Sequence, residues 1–244
     1  MNRSFIIKRV SRKEKGIKLK MGKLFVIDGT DGSGKQTQFE LLKESFDKNN
    51  IKYKVMSFPN YDSPSSALVK MYLSGEFGEN AKEISPYIAS TFYAVDRYAT
   101  FKKEFEEFYQ NRGILLADRY TTANMVHQAG KIDNKQEREK FLNWLIDFEF
   151  NLYNLPKPTE VFFLNMPVDK ALELIKDREN KFSHTTQKDI HERDESHMRD
   201  AHNAACEVAK KYNWYQVDCV QNGELRTIED IHNQIYNEII KHIK

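Results

Sequence analysis

The sequence predicts an α/β domain of three layers, a five-stranded parallel sheet with helices on both faces. Two observations predict it. From Lys23 onward, short apolar β-like runs alternate with stretches of helical periodicity, the pattern of strands joined by crossover helices. The first run also passes through a glycine-rich turn directly into a helical stretch.

The strand-like runs cover residues 23–27, 53–58, 114–117, 161–164 and 214–217. A helix follows the turn near Gln36, with Phe39, Leu42 and Phe46 on one stripe. Later stripes are Phe141, Leu145, Phe148 and Leu152, then Ile228, Ile231, Ile235, Ile239 and Ile243, and each is expected to face the core. Between 179 and 197 only Phe182 and Ile190 are large aliphatic or aromatic side chains, so an exposed, mobile insert is expected there.

The chain of 244 residues suits one domain, and 40% hydrophobic residues exclude full disorder. A 30% charged fraction and a mean hydropathy of −0.70 leave a polar surface. No apolar run approaches the roughly 18 to 20 residues of a membrane helix, and no apolar leader follows a basic start, so a cytoplasmic protein is expected. Cys206 and Cys219 are too few for a disulfide scaffold and read as free thiols.

Charge is unevenly placed. Residues 1–20 hold eight Lys or Arg against Glu14 alone, leaving 30 basic and 35 acidic residues, a net of −5, for the remainder. The pI near 8.3 therefore reports a tail. The mildly acidic body argues against nucleic-acid binding by the folded domain. Residues 1–20 read as a basic extension, disordered or not native, ahead of a domain spanning 21–244. A transit peptide, an RNA-binding arm and a stretch upstream of a natural start at Met21 all fit.

Residues 29–35 read Gly-Thr-Asp-Gly-Ser-Gly-Lys, which is G-x-x-x-x-G-K between a strand and a helix. Gly29, Gly32 and Gly34 allow a backbone path that turns N–H groups inward, and the following helix adds its positive end. Lys35 supplies a mobile cation. Asp31, Ser33, Gln36 and Thr37 complete the expected ATP contacts; a glycine-rich turn without a ligand is the bland reading. Gln36 stands where the general motif has a Ser or Thr hydroxyl for Mg²⁺, and Thr37, one residue late, is expected to face elsewhere. The run ending in Asp118 puts a carboxylate at a strand's carboxyl end, able to serve Mg²⁺ directly or through water, or else to cap a helix.

Four motifs then stand in order: Asp28-Gly29-Thr30-Asp31-Gly32-Ser33-Gly34-Lys35; Phe58-Pro59-Asn60-Tyr61; Phe92-Tyr93-Ala94-Val95-Asp96-Arg97; and Asp118-Arg119-Tyr120 with Asn124 beyond it. Together they resemble the thymidylate kinases, from Lys23 to the C-terminus. The resemblance implies a P-loop kinase fold with a mobile lid at about 179–197. It also implies transfer of the γ-phosphoryl group of MgATP to dTMP, giving dTDP for dTTP synthesis.

By the same resemblance, Asp31 holds the deoxyribose 3′-hydroxyl and Tyr93 stacks on thymine, with Phe92 the alternative. Arg97 donates to O4, Asn124 meets the N3–H edge, and Pro59 borders the 5-methyl group. Arg119 and Tyr61 hold the monophosphate, unless Arg119 only bridges to a neighbouring strand. His127 stands where relatives often have a tyrosine screening the sugar 2′ position. Some relatives have Arg in the loop where this chain has Gly32, so the clamping cation is expected from the lid. Arg178 and Lys181 are preferred there over Lys188 and Arg193, while His184 and His191 are a poor metal signal. Lys35, Arg119, Asp31, Arg178 and Lys181 form the expected catalytic set, without a general base because the acceptor phosphate is already largely dianionic. A homodimer through the helix near Trp144 is implied too. A kinase for another (deoxy)nucleoside monophosphate, or a nucleotide-binding regulator without transfer activity, remains open on the residues alone.

Overall fold

The computed structural model describes residues 21–78, 80, 82–175 and 195–244, with the side chains of 195–197 left out. The basic extension and the lid candidates Arg178, Lys181, Lys188, Arg193, His184 and His191 lie outside the described residues.

The five expected runs form one parallel sheet: β1 (Lys23–Asp28), β2 (Tyr53–Ser57), β3 (Ile114–Asp118), β4 (Glu160–Asn165) and β5 (Tyr215–Asp218), ordered β2-β3-β1-β4-β5. The three inner strands β1, β3 and β4 run apolar without alternation because both faces are covered, whereas the edge strands β2 and β5 carry polar residues. Phe25 and Ile27 pack on one side with Phe39, Leu42 and Phe46 of α1 (Lys35–Lys48). Leu24 and Val26 pack on the other with Phe58, Phe101 and Phe105. Helices α2 (Ala67–Ser74), α3 (Pro86–Thr100), α4 (Glu106–Gln110), α5 (Thr121–His127) and α6 (Lys135–Ile146) precede β4. Helices α7 (Val168–Ile175), α8 (Glu195–Lys211) and α9 (Ile228–Ile243) follow it. With β3 on one side of β1 and β4 on the other, the strand order reverses at β1, which opens a crevice beyond the carboxyl ends of these strands.

Three expectations need correction, and one element was not foreseen. The stripe from Phe141 does not continue inward to Leu152: beyond α6 the helix widens to a π-helical segment (Asp147–Leu152), whose extra residue per turn rotates the face. Glu149 is thereby buried and Leu152 left 70% exposed. Ile228, at the first position of α9, is 57% exposed, whereas Ile231, Ile235 and Ile239 are core. The last three residues of the expected insert already belong to α8. A hairpin, β6 (Val220–Gln221) with β7 (Glu224–Leu225), was not anticipated, although Asn222-Gly223 with both φ positive is a common two-residue hairpin turn.

Both cysteines are free. Among the described residues no helix is long and apolar enough to cross a membrane.

Candidate active site

The turn after β1 folds around its own lysine. Lys35 Nζ donates to the Gly29 carbonyl at 2.7 Å and the Thr30 carbonyl at 2.8 Å, and stands 3.6 Å from Asp31 Oδ1. Burial, then the Arg119 guanidinium, lower its ammonium to about 8. Gly34, at φ 85, begins α1 with no side chain to cap it, so the first-turn N–H groups are left for an anion. Gly32, at φ +77, lies so close to α7 that an added Cβ would meet the Ala171 carbonyl at 2.5 Å. An arginine in that position is therefore excluded by packing, consistent with a cation supplied from elsewhere.

β3 delivers Asp118 and Arg119 beside this loop, in register with Ile27. Arg119 takes φ 64, an uncommon conformation for a long side chain, and its Nη2 donates to Asp31 Oδ1. The bridge therefore runs to the loop rather than to a neighbouring strand. Burial works against the Arg119 charge, but Asp31, Asp118 and Asp28 outweigh it and hold the guanidinium protonated. Asp28, buried at the end of β1, accepts from the Gly29 amide at 2.8 Å, and burial raises its carboxyl above the usual range.

A cavity of about 510 Å³ opens here. Asp31, Gly32, Ser33, Gly34, Lys35, Gln36 and Thr37 line it. Pro59, Tyr61, Tyr93, Arg97, Asp118, Arg119, Asn124 and His127 line it too, brought from three further stretches of sequence. Gly29 contributes its carbonyl to Lys35 instead. Phe92 is not in the lining and packs on Phe77, at 5.6 Å between ring centroids.

In the cavity wall the Arg97 guanidinium lies over the rings of Phe58 (5.1 Å) and Tyr120 (5.2 Å), and its Nε donates to Glu149 Oε2 at 2.6 Å. Tyr93 meets the edge of Tyr72 at 6.2 Å, and Lys131 Nζ donates to the Tyr72 hydroxyl at 2.9 Å and the Ile84 carbonyl at 3.2 Å. Asp96 accepts from the Asn60 amide and the Ser65 hydroxyl, which ties the Pro59 and Tyr61 loop to α3. Leu174, Leu225, Arg226 and Ile228, from α7, β7 and the entry to α9, form a second part of the wall.

Sequence reasoning missed Glu149, Lys131 and this second wall. An acid between Phe148 and Phe150 in an aromatic helix was a usable signal for Glu149; nothing local marks Lys131.

Among the described residues no cluster of three or more His, Cys, Asp or Glu could hold a metal. Asp118 is a carboxylate lining the cavity beside the phosphate loop. That fits Mg²⁺, which binds through one or two carboxylates with phosphate and water completing its shell.

Residues 27–235 match the family model described as Thymidylate kinase. The thymidylate kinase of Plasmodium falciparum (isolate 3D7) is 27% identical over 223 residues, covering 91% of each chain. That of Mycobacterium tuberculosis (strain ATCC 25618 / H37Rv) is 28% identical over 151 residues, covering 62% of this chain and 69% of its own. A probable thymidylate kinase of Pyrococcus horikoshii is 30% identical over 156 residues, covering 64% and 70%. Among solved structures, a thymidylate kinase from Candida albicans superposes with a TM-score of 0.67 at 20% identity, covering 91% of this chain and 92% of the other, a likeness of fold.

Proposed function

The chain belongs to the thymidylate kinase family, and from that premise we propose how its site phosphorylates dTMP to dTDP with ATP. The observation that carries the reading is one cavity joining a phosphate loop to Tyr93, Arg97 and Asn124. The two other readings of the sequence, a different acceptor and a regulator without transfer, find no support in the site or the relatives.

Thymine stacks on Tyr93, with Arg97 donating to O4 and Asn124 accepting from N3–H. Pro59 borders the 5-methyl group and His127 lies toward the sugar. Asp31 takes the 3′-hydroxyl, while Arg119 and Tyr61 hold the 5′-phosphate. The donor triphosphate lies along residues 29–37, with its base toward Leu174, Leu225, Arg226 and Ile228.

A dTMP phosphate oxygen attacks the γ-phosphorus as the β–γ bridging bond breaks, and no base is needed because the attacking phosphate has already lost its proton. The work of the protein is to hold two polyanions in line and offset their charge. Lys35 and Arg119 do this within the cavity, joined by Arg178 and Lys181 of the lid. Asp118 would hold Mg²⁺, directly or through water, and the bound ion neutralises the triphosphate oxygens.

The protein is cytoplasmic and a homodimer. Supporting the second point, Ile88, Val95 and Tyr98 are exposed along one stripe of α3, and Leu152 is exposed on the segment after α6.

The test is a coupled ADP-release assay with dTMP, dUMP, dCMP or thymidine as acceptor, repeated on protein starting at Met21. dTMP is expected to be the preferred acceptor and to yield dTDP. ATP binding without dTDP formation would overturn the reading.

A further inference from the structure

Glu149 has no solvent exposure and does not itself line the cavity, yet both of its oxygens are engaged by residues that do. Oε2 accepts from Arg97 Nε at 2.6 Å and from the Thr121 hydroxyl at 2.6 Å. Oε1 accepts from Arg97 Nη2 at 3.3 Å and from Asn124 Nδ2 at 3.4 Å. We infer that Glu149 is a positioning residue that decides which base edge the cavity reads, by holding Arg97 and Asn124 in one hydrogen-bonding register.

The argument is one of donors and acceptors. An arginine carries five N–H groups, one on Nε and two each on Nη1 and Nη2; those of Nε and one of Nη2 are committed to Glu149, so the far edge of the fork, Nη1 with the second Nη2 hydrogen, is what remains to donate. An asparagine amide can face either way, and its neighbours decide. Here the neighbours are the Glu149 carboxylate and, at 3.5 Å, the Ser90 carbonyl, both acceptors only. The amide NH₂ must turn toward them, which leaves Oδ1 as the group Asn124 offers. What is available to a base is thus a donor-only arginine edge beside an asparagine acceptor. A pyrimidine with a carbonyl at C4 and a proton on N3 matches both, whereas cytosine, with an amino group and a bare N3, meets donor with donor and acceptor with acceptor. Mismatched buried polar groups cost far more than a missing methyl. A carboxylate that never touches the substrate thereby sets the selection.

This inference rests on the base-reading roles proposed for Arg97 and Asn124, and the experiment separates the two. In Glu149→Gln, nearly the same volume presents an NH₂ toward groups that are themselves donors, which removes the reason for the Asn124 orientation. With full-length protein, kcat/KM for dTMP is expected to fall about 100-fold, KM for ATP to change less than about 3-fold, and the dTMP-over-dCMP ratio to narrow at least about 10-fold. Thr121→Val removes one bond to Glu149 at nearly constant volume and should shift the same ratio by about 3-fold or more; it decides alone if Glu149→Gln does not fold. A ratio unchanged in both variants, or equal losses toward dTMP and ATP, overturns the inference. If Asn124→Ala or Arg97→Gln narrows the ratio while the Glu149 and Thr121 variants do not, the base-reading roles stand and only the part given to Glu149 falls. If neither Asn124→Ala nor Arg97→Gln narrows it, the base-reading roles fall and take this inference with them.

Discussion

Asp31 in the phosphate loop and Arg119 after β3 form an ion pair across 88 residues of sequence, and Lys35 stands 3.6 Å from the same Asp31 oxygen. A carboxylate in an anion-binding loop is otherwise unfavourable. Here it offsets the buried Lys35 and the half-buried Arg119, and it keeps Arg119 folded toward the cavity.

Asp31→Asn removes that offset and the expected partner of the sugar hydroxyl. We expect kcat/KM for dTMP to fall by about 100-fold, with a smaller effect on ATP, as read by steady-state kinetics with each substrate varied.

Lys35→Ala should lower kcat by more than ~100-fold, the scale of a lost electrostatic stabiliser. Turnover at the wild-type rate would remove Lys35 from the mechanism.

The same lysine sets a pH limit. The ammonium form attracts phosphate, and burial lowers its pKa to about 8 in the free protein. kcat/KM for ATP should therefore fall as pH rises through about 8, while Arg119 stays protonated over the whole range. A pH–rate profile at saturating dTMP measures this.

Lys131 gives a stability prediction of definite sign. Burial lowers its pKa to about 7, so between about 7 and the ordinary lysine value of 10.5 the unfolded chain binds more protons than the folded one. Its contribution to stability is least favourable below pH 7 and improves up to about 10.5. Lys131→Met removes the cost of burying the charge, so the variant should gain most over wild type at pH 6 and keep only a small part of that advantage at pH 9.5. Urea denaturation at the two pH values reads the difference.

Gly32→Arg places a cation in the loop but drives Cβ into the Ala171 carbonyl at a positive φ. The expected result is a lower melting temperature and lost activity. At roughly 2–4 °C per kcal/mol for a chain of this size, thermal unfolding detects it readily.

The five strands, the phosphate loop and the cavity residues with motif signatures were legible in the sequence because each depends on local order. Apolar runs mark the inner strands, glycines mark the turn, Asp118 ends a strand-like run, and Arg97 stood out through the resemblance of its motif to the thymidylate kinases. Glu149 and Lys131 carry no such mark. Glu149 lies 52 residues from Arg97 and 25 from Asn124, and it turns inward only because the helix widens after Ile146. Lys131 is an ordinary lysine until Tyr72 and the Ile84 carbonyl are folded over it. Which residues could supply the chemistry was thus written in the chain itself. Which donors were left facing the cavity, and which charges were stripped of water, depended on distant segments packing together, because hydrogen-bond commitment and desolvation are properties of surroundings rather than of residue type.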